Sequence, residues 1–160
     1  MKRFFIFCFA TLLASAPSFA QTEVPPSTDN ALQSTKIQWY TSIKDAKVKA
    51  KEEMLPLYVC FTGTSWCFWC QRLEKEIQSS PDFIQKVHDK FIFVRIDIPK
   101  EQTDADPEIR DLMMKYEVYG VPVILLLTPS LEKLGQLSYQ TISPQDFADL
   151  ALTIGYPKAI

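Results

Sequence analysis

"LPLYVCFTGTSWCFWCQRLEKEIQ", residues 55–78, passes from an apolar run through a small-residue turn to two cysteines three apart, then to a charged stretch. Residues 55–61 are rich in β-formers and bounded by polar residues and Gly63, which predicts a short strand buried on both faces. Beyond the cysteines, Leu73 and Ile77 stand four apart, the spacing of one helix face. The segment reads as strand, turn and helix. Cys67 falls at the helix start and Cys70 one turn on.

Three chemistries compete for such a pair. A structural zinc site takes four Cys or His ligands, commonly from two paired motifs. Outside the pair the chain has only Cys8, Cys60 and His88, which form no second motif. His88 falls near the end of a helical stretch, where a surface residue with positive charge is tolerated. A structural disulfide across three residues closes too small a loop to remove much unfolded-state entropy. A redox pair fits the placement best. Unpaired N–H groups and the helix dipole stabilise a thiolate at a helix start, and the thiolate attacks in thiol–disulfide exchange. Cys67 is expected as the exposed nucleophile and Cys70 as the resolving sulfur behind it. No metal is expected, and no cofactor beyond a Cys67–Cys70 disulfide.

The 160-residue chain is long enough for one domain with a real core. Its 47% apolar and 22% charged residues are ordinary for a globular protein. Net charge is −2 without a basic block, which argues against a nucleic-acid partner. Residues 1–20, "MKRFFIFCFATLLASAPSFA", carry Lys2 and Arg3, an apolar run and small residues before Ala20, the pattern of a secretory signal peptide. The run is short for a membrane span. Cleavage near Ala20 removes Cys8 and leaves Cys60, Cys67 and Cys70, an odd count that suits one functional pair plus one buried thiol. Residues 21–34 are polar and proline-containing and are expected to form a flexible leader. The domain is then 35–160, and a monomer is expected because no heptad seam is present.

Hydrophobic patterning gives the order β-α-β-α-α-β-α-β-β-α. Residues 36–40 predict a strand, and Ser42 with Asp45 begins a helix carrying Ile43, Ala46, Ala50 and Met54. Ser80-Pro81, Asp106-Pro107 and Ser143-Pro144 each place a capping residue before a proline at the first helical position. Their helices carry Phe83, Ile84 and Val87; Ile109, Leu112, Met113 and Tyr116; and Phe147, Leu150, Ala151 and Ile154. Residues 91–98, 121–128 and 134–139 read as strands, the last two as a hairpin. Early alternation implies parallel crossovers, and the hairpin implies an antiparallel edge. The fold class is α/β, a central mixed sheet flanked by helices. Pro122 sits just inside a buried strand, where a proline removes a ladder donor and needs a reason.

Trp66-Cys67-Phe68-Trp69-Cys70 after a buried strand, with Gly120-Val121-Pro122 before the next-to-last strand, resembles the thioredoxin family. The likeness covers about residues 36–156, and "FTGTSWCFWC" resembles the family's secreted bacterial branch. That resemblance implies a thioredoxin-like fold and a cis Pro122. It also implies a substrate groove involving Val121, Pro122, Trp66, Phe68 and Trp69. Thioredoxin has Gly-Pro between its cysteines where this chain has Phe68-Trp69, and a buried acid on the preceding strand where this chain places Cys60. Cys60 is expected to be an inert core thiol.

The direction of electron flow is less constrained. Strong oxidants stabilise their reduced form by lowering the thiolate pKa. No His lies between the cysteines to do so, and apolar neighbours raise a thiolate's pKa by desolvation. The expectation is a periplasmic reductase acting on disulfides of secreted or outer-envelope proteins. The resemblance implies an electron donor in the membrane, of DsbD type. A disulfide-forming oxidase, an isomerase and a non-catalytic binding protein are the alternatives.

Overall fold

The computed structural model describes residues 36–101 and 105–157. The expected signal peptide (1–20) and leader (21–34) lie outside the described residues. The elements are β1 (Trp39–Tyr40), α1 (Ile43–Glu53), β2 (Leu57–Thr62), α2 (Phe68–Leu73) continuing into a π-turn (Glu74–Gln78), α3 (Pro81–Val87), β3 (Ile92–Asp97), α4 (Pro107–Lys115), β4 (Val123–Leu127), β5 (Lys133–Ser138) and α5 (Pro144–Gly155).

The five strands form one sheet in the order β1-β3-β2-β4-β5. β1, β3 and β2 run parallel. β4 runs antiparallel to β2, and β5 antiparallel to β4. Alternation along β2 divides the core, because successive side chains point to opposite faces. Tyr58 and Cys60 face Leu73, Ile77, Phe83 and Phe147 of α2, the π-turn, α3 and α5. Leu57, Val59 and Phe61 face Ile43, Ala46 and Ala50 of α1 and Met113 of α4. With both faces covered, all six residues of β2 are buried.

The expected helix starts are present. Ser42 Oγ accepts from the Asp45 N–H, Asp106 from the Glu108 N–H and Ser143 Oγ from the Asp146 N–H. Ser80 sits at its N-cap without such a bond, and all three prolines open their helices.

The hairpin forms the expected antiparallel edge, with β5 outermost and the Ile124–Leu127 run of β4 buried between β2 and β5. Three expectations are corrected. The first strand is two residues rather than five, pairing with β3 only at Trp39 opposite Phe93 and Tyr40 opposite Val94. Leu150 is exposed because α5 packs through Phe147, Ala148, Ala151 and Gly155, which leaves Leu150 outside that seam. The helix after the cysteines is not regular. The Ser79 N–H reaches back five residues to the Glu74 carbonyl at 2.8 Å, widening the turn by one residue. Leu73 and Ile77 both stay buried, and Gln78 turns inward as well. Its Nε2 donates to Tyr58 Oη at 3.0 Å and approaches Cys60 Sγ at 3.6 Å.

Candidate active site

The carboxyl end of β2 delivers the chain into Gly63–Trp66 and then to Cys67, the N-cap of α2. Extended backbone at Cys67 aims its sulfur back at the open helix end, where Sγ accepts from the Cys70 N–H at 3.2 Å. The Gly63 N–H donates to Cys70 Sγ at 3.4 Å. Each sulfur therefore faces a backbone donor, an arrangement that favours negative charge on it. The two cysteines are joined as a disulfide with Cα atoms 5.2 Å apart. Cys67 is the more accessible, at 7% against 2% for Cys70, yet it is not the exposed residue expected. Its sulfur lies beneath the 120–122 segment, 3.7 Å from the Val121 carbonyl oxygen.

The turn before the pair is tied to the far end of β3. Asp97 accepts from the Thr64 N–H at 2.8 Å and from Thr64 Oγ1 at 2.6 Å. The Trp66 Nε1–H donates to the Ile98 carbonyl at 2.8 Å. Gln71 Nε2 closes the turn by donating to the Thr64 carbonyl at 3.1 Å. Gly63 is required by close approach: a Cβ there would stand 2.5 Å from Trp66 Cε2.

The Val121–Pro122 peptide is cis. Trp69, Val121 and Pro122 come together with Ser138, Tyr139 and Thr141 around an open groove of about 440 Å³. Trp66 lies outside that lining, on the β3 side. Phe68 also lies outside it, beside Gln71, Arg72, Lys75 and Glu76. The rings of Phe68 and Trp69 are 63% and 51% exposed, so they flank the disulfide rather than seal it.

Tyr139, Arg72 and Glu76 carry no mark of a site residue in the sequence. The Trp69 and Tyr139 rings are 5.6 Å apart with planes 31° from parallel. Tyr139 Oη donates to Glu76 Oε2 at 2.6 Å. Arg72 donates to both Glu76 oxygens, Nε at 2.7 Å and Nη2 at 3.1 Å. The Arg72 guanidinium stands 5.6 Å from the Trp69 ring centre and 5.4 Å from that of Tyr139. The Arg72 hydrogen bond, reinforced by that from Tyr139, holds the Glu76 carboxyl below the usual carboxylate range.

Cys60, on the buried strand β2 that leads to the pair, is 1% exposed. Burial pushes its thiol up to about 11, with the Gln78 hydrogen bond acting in the opposite direction. It is the free cysteine among the described residues. Beside it in register stands Arg95, which donates to Glu74 Oε1 at 2.9 Å. Among the described residues no three His, Cys, Asp or Glu side chains gather as a metal site.

The fold and the joined pair define a protein of the thioredoxin-like, thiol–disulfide oxidoreductase class. Residues 38–129 match the family model described as thioredoxin-like, and the chain belongs to that family. Among its relatives is the thioredoxin-related protein DsbJ of Chlamydia pneumoniae, 33% identical over 123 residues, which are 74% of this chain and 34% of DsbJ. The chain thus spans about a third of that relative's length. The disulfide bond reductase DsbH of the same organism is 23% identical over 136 residues, covering 83% of this chain and 77% of DsbH. A solved structure of a DsbH oxidoreductase superposes with a TM-score of 0.67 at 20% identity, covering 88% of this chain and 94% of that one.

Proposed function

We propose that this protein is a periplasmic thiol–disulfide reductase. The observation that carries the reading is the Cys67–Cys70 disulfide at the start of α2, each sulfur facing a backbone N–H, beside the cis Val121–Pro122 segment. In the reduced protein the Cys67 thiolate attacks a substrate disulfide. One substrate sulfur leaves as a thiolate, and a mixed disulfide forms through Cys67. Cys70, having lost its proton, then attacks Cys67 Sγ and expels the second substrate thiolate, which closes the Cys67–Cys70 bond. Two electrons pass to the substrate, and its two thiolates take up two protons.

The absence of His between the cysteines supports the reducing direction, and so does the relative described as a disulfide bond reductase. The substrates are disulfide-containing periplasmic or outer-envelope proteins. Regeneration takes a membrane dithiol donor of DsbD type, and a DsbD of Pseudomonas aeruginosa is among the relatives. The signal-peptide pattern of residues 1–20 supports the compartment, which is oxidising and does not keep a dithiol reduced by default.

The test is insulin-disulfide reduction with dithiothreitol, together with the potential of the pair. Wild type should accelerate the reaction over a Cys67→Ser, Cys70→Ser control, and Cys70→Ser should trap a mixed disulfide through Cys67. A potential near the thioredoxin value of about −270 mV supports a reductase, whereas one near the oxidant value of about −120 mV overturns it in favour of an oxidase. No acceleration over the control overturns the enzyme reading.

A further inference from the structure

Two aromatic rings, one guanidinium and one carboxylate are bound together at the edge of the groove, and the exchange chemistry uses none of them. Trp69 projects from α2 and is half exposed. Tyr139 lies just beyond β5, the edge strand of the sheet, and its side chain reaches 63 residues back in sequence to Glu76 of the π-turn. Trp69 and Glu76 are exposed and Arg72 is half-buried, while the Tyr139 ring packs against the edge of the core. What the link fixes is the orientation of Trp69. Tyr139 stacks beside the ring, Arg72 lies near the rings of both Trp69 and Tyr139, and Glu76 holds Arg72 and Tyr139 together.

We propose that Tyr139, Glu76 and Arg72 are positioning residues that hold the Trp69 ring as a preformed wall of the substrate groove, where it receives an apolar side chain next to the substrate's cysteine. The proposal rests on the reading that the pair exchanges with polypeptide disulfides, in whichever direction. An unrestrained Trp on an exposed helix turn would have to be ordered by each incoming chain, and ordering a side chain on association weakens binding. A wall already fixed avoids that loss. Its charges are internally paired, Arg72 with Glu76, so the cluster brings no net charge to the part of the indole left open to the groove. Ser138 and Thr141 add polar groups to the same lining. A segment entering there passes between Val121–Pro122 and Trp69, which places its flanking side chain against the indole.

The experiment uses the full protein, its Tyr139→Phe and Glu76→Gln variants, and two disulfide-linked peptides that differ only in Leu or Ser beside the cysteine. KM and kcat for reduction are measured separately, with thermal melts alongside. Tyr139→Phe keeps the ring and removes only the hydroxyl; Glu76→Gln lies outside the groove and weakens the same clamp from the other side. Both variants should raise KM for the Leu peptide about 2- to 10-fold, the range expected for ordering one large side chain. kcat should change less, and the preference for Leu over Ser should shrink. Unchanged KM in both variants, or an equal change for the two peptides, overturns the clamp while leaving the exchange reading intact. Wild type that exchanges with neither peptide overturns both.

Discussion

Gly63→Ala probes the step that seats the cysteine turn. An ideal Cβ at residue 63 would lie 2.5 Å from Trp66 Cε2 and 2.7 Å from both Cζ2 and Nε1. Ordinary carbon contacts are about 3.5–4.0 Å, so the indole must retreat by roughly 1 Å. It cannot do so freely, because Nε1–H is held by the Ile98 carbonyl at 2.8 Å. A further 1 Å carries that bond beyond hydrogen-bonding range. Losing it costs about 1 kcal/mol, and forcing a ring off its packing costs about 1–3 kcal/mol. The alanine recovers about 0.4–1 kcal/mol by restricting the unfolded chain. The net expectation is a destabilisation of about 2 kcal/mol, or a fall in Tm of roughly 6–12 °C for a domain of this size. Urea unfolding of the oxidised protein, monitored by far-UV circular dichroism, measures it. The decisive comparison repeats Gly63→Ala in a Trp66→Ala background, where the added methyl meets no ring. There the cost should vanish, giving a coupling of about 2 kcal/mol. Equal destabilisation in both backgrounds would refute the clash, and so would none in wild type.

Two further outcomes concern Cys60 and Met54. Cys60 is buried as a neutral thiol whose folded value is about 11, above its ordinary value. Its contribution is therefore full below the ordinary thiol range and is lost as pH rises from about 9 toward 11, by roughly 3 kcal/mol. Wild-type stability should fall relative to Cys60→Ala across that window, and Cys60 should resist alkylation until the chain unfolds; a pH-independent difference would contradict this. Met54, 80% exposed, closes α1 in the left-handed region at φ 57°. Met54→Gly should raise stability by about 0.5–1 kcal/mol in urea melts, and a loss would show that the methionine side chain contributes more than its backbone costs.

Periodicity reveals the features that burial and capping control. β2 is legible because a strand covered on both faces must be apolar throughout. The three proline-opened helices are legible because a proline after a capping residue has few other uses. The short β1 is not, since its length depends on pairing with β3, 54 residues later. The π-turn leaves no local mark, because Leu73 and Ile77 suit an α-helix equally well. At the site, the cysteine pair and Val121–Pro122 stand out as unusual residues for their positions. Tyr139 does not. An aromatic residue at a strand end is ordinary, and its role depends on Glu76 lying within hydrogen-bond reach across the fold. The burial of Cys67 is hidden for the same reason, since the segment above it comes from residues 120–122.

The widened turn at Glu74–Gln78 makes chain length, rather than residue identity, the variable that joins the two sides of this helix. Each residue turns a helix by about 100°, so one residue fewer would swing every later side chain by that angle. The outward link from Glu76 to Tyr139 and the inward link from Gln78 to Tyr58 both lie within that span. A helix shortened there by one residue could keep all its amino-acid types and its path across the sheet, yet lose both links together.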